Sequence, residues 1–119
     1  MHWFIAKIVY EIVCGDGAHC PQFDEQIRLI SAPDHREALT TASGIGQAEA
    51  LSFENHHRQM VQWKFLGVSE LLQLQPMQHG AELYSCIKEI DHPDGYRKMI
   101  GNRVKQLHQH LPHAYHTFQ

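Results

Sequence analysis

Trp3-Phe4-Ile5-Ala6-Lys7-Ile8-Val9-Tyr10-Glu11-Ile12-Val13-Cys14 is the stretch whose reading decides the fold. Side chains on a strand alternate between two faces, so Phe4, Ala6, Ile8, Tyr10, Ile12 and Cys14 share one face and Trp3, Ile5, Lys7, Val9, Glu11 and Val13 the other. The first set is wholly apolar and marks a core-facing surface; the second is mixed. Gly15 to Pro21 has the composition of a turn or loop. A second strand follows from Phe23 to Ala32, with Phe23, Ile27 and Leu29 on one face and Asp24, Gln26 and Arg28 on the other. The two strands form a hairpin with a longer than minimal loop.

Downstream, Pro33-Asp34-His35-Arg36-Glu37 opens a helix, with Asp34 as N-cap and Glu37 at the capping-box position. Ala38, Leu39, Ala42, Ile45, Glu49 and Phe53 fall at helical spacing and give an apolar face of modest volume. Gly44 and Gly46 weaken a helix interior, so either the helix breaks there or it lies close to the sheet; close packing is the expectation. Asn55 to Gln59 reads as a polar loop, Met60 to Val68 as a strand, Leu71 to Leu74 as a short further strand, and Ala81 to Ile90 as a last one. After Asp91-His92-Pro93-Asp94-Gly95, a helix carries an apolar stripe of Tyr96, Ile100, Val104, Leu107 and Leu111, with its end expected at Pro112. The expected order is ββαβββα: an α+β domain over 1–90 with an antiparallel sheet of four to five strands and one main helix, then a C-terminal helix and histidine-rich tail over 91–119.

Composition bounds the function. A chain of 119 residues with 43% hydrophobic content is large enough for one core. A formal charge of -3 argues against a dedicated nucleic-acid binder, although Arg97, Lys98, Arg103 and Lys105 share the last helix. With 11 His against 10 Lys+Arg, the net charge changes sign just below neutral pH. Residues 1–14 lack a basic leader and are interrupted by Lys7 and Glu11, so neither a signal peptide nor a membrane helix is expected. Cys14, Cys20 and Cys86 are too sparse for a disulfide framework and fit reduced cytoplasmic thiols.

Four segments, Trp3-Phe4-Ile5-Ala6-Lys7, Phe23-Asp24-Glu25-Gln26-Ile27-Arg28-Leu29-Ile30, Trp63-Lys64-Phe65-Leu66-Gly67-Val68 and Gly80-Ala81-Glu82-Leu83-Tyr84-Ser85, resemble a bacterial family of uncharacterised proteins, domain of unknown function 4288. The resemblance spans roughly residues 3 to 88 and excludes the tail. It implies a cytoplasmic bacterial protein and carries no activity, cofactor or catalytic residue with it.

The residues themselves offer four candidate chemistries. Trp3, Ile5, Val9 and Val13 are apolar on the face that one main helix leaves over, which points to an interface covered by the C-terminal helix or by a second copy of the chain. Arg28, Glu49, Trp63 and Glu82 could line a small-ligand or catalytic pocket; Glu49, interrupting the helical stripe, would be a general acid with a raised pKa or an ion-pair partner of Arg28 or Lys7. His108, His110, His113 and His116 could bind a labile metal, though His108 and His110 diverge by about 200° on a helix. Cys14, His19 and Cys20 lie too far apart in sequence for a compact zinc motif. Lys7, Glu11, Gln26, Arg28, Gln62 and Lys64 look like cross-strand pairs on a polar sheet face. Cys86 on a strand and Ser43-Gly44-Ile45-Gly46 lack the setting of a nucleophile or of a dinucleotide loop. The leading expectation is a non-enzymatic interaction module that homodimerises or meets another protein, with no cofactor.

Overall fold

The structure is a computed structural model that describes residues 1–118, with the side chains described for residues 1–111. The chain divides into two compact units, Met1–Tyr84 and Ser85–Gln119. The first carries β1 (His2–Cys14), β2 (Gln22–Ala32), α1 (His35–Ala48), β3 (Leu51–Glu54) and β4 (Met60–Gln73); the second carries α2 (Pro93–Phe118). The strands form one antiparallel sheet in the order β2-β1-β4-β3.

The alternation in β1 sets this arrangement. Phe4, Ala6, Ile8 and Tyr10 are buried under α1, and with Ile30, Ala32, Ala38, Ala42 and Val61 they make most of the core. Asp34 caps α1, its carboxylate accepting from the Glu37 N–H at 2.9 Å. Helix α1 turns a row of small residues, Ala38, Ala42 and Gly46, toward the sheet. The row allows the close approach expected of the glycines, but only at Gly46. A Cβ there would overlap three ring carbons of Phe65, whereas one at Gly44 would meet nothing. Tyr10 fixes the contact from the sheet side by donating its hydroxyl to the Gly46 carbonyl at 2.8 Å.

Four expectations need correction. The helix does not run on to Phe53: Glu49 is its C-cap, and residues 51–54 form β3, paired with the start of β4. The helical spacing of Glu49 and Phe53 is a coincidence of period over one turn. The strands expected at 60–68 and 71–74 are one strand, β4, bent where its register against β1 slips twice, between Lys7 and Ile8 and between Val9 and Tyr10. Each slip inserts an extra residue on β4, and Gly67, at φ 151°, lies between them where another residue would be strained. Residues 81–90 have no regular structure. Their alternation mixes apolar and polar residues on both faces, so no strand register would bury one face cleanly. The order is therefore ββαββα with four strands. In the second unit, α2 continues past Pro112, where an end was expected.

No helix of the described residues is long and apolar enough to cross a membrane.

Candidate functional site

The register of the three long strands defines two faces with different chemistry. On the face under α1, next to the C-terminal end of the helix, β2 presents Asp24, Gln26 and Arg28 opposite Tyr10, Ile8 and Ala6 of β1. These side chains form one continuous hydrogen-bonded chain. The Trp63 indole N–H donates to Asp24 Oδ2 at 3.3 Å, and the Gln26 amide donates to the same oxygen at 2.7 Å. Arg28 donates to Gln26 Oε1 through Nε at 3.1 Å and Nη2 at 2.8 Å. Its Nη1 and Nη2 then reach Glu49 Oε2 and Oε1 at 3.0 and 2.6 Å in a bidentate pair. The sequence-derived set of Arg28, Glu49 and Trp63 is thus joined, through Asp24 and Gln26, which it omitted. The period of two along β2 was the signal for both.

Glu82, the fourth member of that set, is exposed and makes no hydrogen bond or ion pair among the described residues. Of the two roles considered for Glu49, general acid or ion-pair partner of Arg28 or Lys7, the geometry and electrostatics favour the pair with Arg28. The Arg28 hydrogen bonds hold its carboxyl below the ordinary value of 4.5, against a smaller opposing effect of desolvation. Its neighbour Arg28 is held more firmly protonated, first by the same hydrogen bond. Burial pushes the Tyr10 hydroxyl up, with Glu49 and Asp24 adding to the shift and Arg28 opposing it. A carboxylate held in its charged form by a bidentate guanidinium is an ion-pair partner, not a proton donor at neutral pH.

The sign of that shift sets a pH dependence. Because the folded state lowers the Glu49 pKa, the pair contributes stability fully above the ordinary carboxylate value of 4.5 and loses it as pH falls through the folded value. The urea midpoints of wild type and Glu49→Gln should therefore differ at neutral pH and converge in acid. A gap that persists unchanged into acid would mean that the ion pair is not its source.

The opposite face of the sheet has no helix on it from the first unit. Its rows, read across β2, β1 and β4, are Leu29–Ile5–Leu72, Ile27–Lys7–Glu70, Glu25–Val9–Gly67 and Phe23–Glu11–Lys64, with Trp3 next to the first row. Of the interface residues read from sequence, Trp3 is 47% exposed, Ile5 is buried, and Val9 and Val13 are half-buried. A central strand is flanked on both sides, so its side chains are shielded by their neighbours. Exposure concentrates instead on the edge strand, where Phe23, Ile27 and Leu29 are 54%, 51% and 52% exposed. Their alternation was visible in the sequence; their position at an edge was not.

Lys7 sits in the middle of this face between Glu25 at 3.6 Å and Glu70 at 3.7 Å, with its ammonium 5.7 Å from the centre of the Tyr84 ring. Desolvation lowers its pKa, but Glu70, Tyr84 and Glu25 together outweigh that and hold it above the ordinary value. The expected polar pairs therefore do not share a face: Lys7, Glu11, Gln62 and Lys64 lie here, and Gln26 and Arg28 lie under α1.

In the hairpin loop, His19 makes structural contacts to Cys14 and Cys20. His19 accepts the Cys14 N–H at Nε2 (3.0 Å) and meets the Cys20 carbonyl at Nδ1 (2.8 Å), so both ring nitrogens are engaged in closing the hairpin loop. The three cysteines are free, and Cys14 Sγ lies between the side-chain amides of Gln59 and Asn55. His108 and His110 are exposed on α2, while the side chains of His113 and His116 lie outside the described residues. Among the described residues, no group of three or more His, Cys, Asp or Glu converges in a way that could hold a metal.

Comparison with known proteins bears on the first unit almost entirely. No curated protein and no solved structure matches the chain. A family described as Domain of unknown function (DUF4288) matches residues 3–85, from the start of β1 to just beyond the end of the first compact unit. With the sheet, its covering helix and the polar chain beside that helix all inside the matched span, the protein belongs to this DUF4288 family.

Proposed function

We propose that the chain is a non-enzymatic interaction module of the bacterial cytoplasm that homodimerises through its sheet. The observation that carries this reading is the concentration of exposed large apolar side chains, Trp3, Phe23, Ile27, Leu29 and Leu72, on the sheet face away from α1. Apolar exposure of this kind, contiguous across neighbouring strands, is the usual mark of a protein contact. The polar chain on the other face supports the non-enzymatic part. Its arginine and carboxylate are paired with each other, and Glu49 is held ionised rather than poised to give up a proton. The three free thiols, Cys14, Cys20 and Cys86, support a reducing compartment.

Sedimentation velocity on the full chain from low to high micromolar concentration tests the reading. The expected result is a mass that rises to that of a dimer and falls back toward the monomer in Leu29→Lys. A strictly monomeric mass at high micromolar concentration removes self-association from the reading.

A further inference from the structure

We infer that two copies of this chain pair edge to edge along β2, antiparallel about a two-fold axis at Gln26, to form one continuous eight-stranded sheet. The inference rests on the self-association proposed above and places it at the β2 edge, where Phe23, Ile27 and Leu29 of that face lie, in a defined register.

An outer strand of a sheet carries a row of unpaired N–H and C=O groups, and proteins usually blunt such an edge with proline, charged side chains, a bulge or a short strand. Here β2 is an outer strand, it runs 11 residues, and its register with β1 has no slip. It contains no proline, and its charged residues, Asp24, Glu25 and Arg28, disfavour every register but one in which Asp24 meets Arg28. Among the described residues, its backbone makes no hydrogen bond outside the β1 ladder. The other outer strand, β3, has only four residues, and its Phe53 is stacked on Trp63. The long open edge is β2.

Charge fixes the register. A two-fold axis perpendicular to the sheet keeps each side chain on its own face, so residues of like parity face each other across the new seam. An axis at Gln26 sets Asp24 against Arg28 of the second copy, twice, and Phe23 against its Leu29, also twice. An axis at Glu25 would set two glutamates face to face, and one at Arg28 two arginines. An axis at Ile27 would leave Asp24 against Ile30. Opposite charges directly across a strand pair are favourable and like charges unfavourable, and the Gln26 axis is the one that sets opposite charges against each other, although it leaves Glu25 against Ile27 on the other face. Capacity for the new pair exists: Asp24 Oδ1 accepts no hydrogen bond among the described residues, and one Arg28 Nη1 hydrogen is not used by Glu49. The exposed Phe23 and Leu29 become cross-strand partners on the opposite face.

Charge exchange in the full-length chain tests this. Asp24→Arg alone sets arginine against arginine at both ends of the seam, and Arg28→Asp alone sets aspartate against aspartate. Each should self-associate roughly tenfold or more weakly than wild type. In a mixture of the two variants, the introduced arginine of one copy meets the introduced aspartate of the other. At the other end of the seam the retained Arg28 meets the retained Asp24, so a heterodimer of near wild-type affinity should form. Restoration on mixing also separates a seam effect from damage to either fold, since two damaged monomers would not rescue each other. A second arm replaces Cys14, Cys20 and Cys86 by serine and introduces Gln26→Cys. That cysteine would face its own copy across the axis and form an intermolecular disulfide with oxidised glutathione, whereas Ser31→Cys in the same background would not. A wild-type monomer at high micromolar concentration overturns both this inference and the self-association beneath it. A wild-type dimer that ignores both charge reversals and leaves Gln26→Cys unlinked, or single variants that fail to pair on mixing, overturns the edge and register alone.

Discussion

Phe4→Ala is expected to cost about 3–5 kcal/mol, the usual range for truncating a fully buried phenylalanine. Phe4 is 0% exposed, sits on the central strand, and belongs to the cluster with Ala6, Ile30, Ala32, Ala38 and Ala42. Most of those neighbours are alanines on or under α1, and a short methyl group cannot turn to fill a vacated ring. The hole would therefore persist, and the edge-on contact with His35, whose ring centre is 4.9 Å away, would be lost with it. Single domains are stable by about 5–15 kcal/mol in all, so the variant should be largely unfolded well below the wild-type midpoint in urea. Trp3→Ala is the matched control. Its ring is 47% exposed on the opposite face, so the change should cost less than about 1 kcal/mol. Similar losses for the two variants would mean that the α1 face is not the principal core.

A second large effect comes with a reversal of sign between two nearby glycines. Gly46→Ala should destabilise by about 1–3 kcal/mol, the typical cost of overfilling a packed site. Gly44→Ala should stabilise by up to about 1 kcal/mol, the ordinary helix-propensity gain. The new Cβ at 46 falls on the Phe65 ring, and α1 cannot withdraw without breaking the hydrogen bond from Tyr10 to the Gly46 carbonyl. At 44 the same atom meets nothing within 4 Å. Phe65→Leu should recover part of the loss in Gly46→Ala by removing the ring carbons in the way, and a thermodynamic cycle over the two positions measures the coupling. If Gly46→Ala stabilises the protein, α1 does not lie against Phe65.

These effects also separate what was legible beforehand from what was not. The two faces of β1, the hairpin with β2, the Asp34 cap and the alternation of Asp24, Gln26 and Arg28 are properties of local period and local hydrogen bonding. Residues 49–54 could not be read the same way, because a short run fits helix and strand spacing equally well. Pairing with Met60 to Trp63 decides for the strand there. The merger of two expected strands into β4 depends on the two register slips against β1, which are cross-strand properties with no local signature. Glu49 shows the same limit in its chemistry. Its place in an apolar-looking stripe left it as a general acid with a raised pKa or an ion-pair partner of Arg28 or Lys7; as the C-cap it is half exposed and lies against the Arg28 guanidinium.

By itself, then, the sequence determined the α+β class, the core face of the first strand and the family, because side-chain period and motif are carried by residues close together in the chain. Which strand lies at the edge, which glycine touches an aromatic ring, and whether Arg28 or Lys7 meets Glu49 were decided by tertiary structure alone. Each of those depends on the order in which the strands associate, and association brings together residues whose spacing along the chain holds no record of the contact.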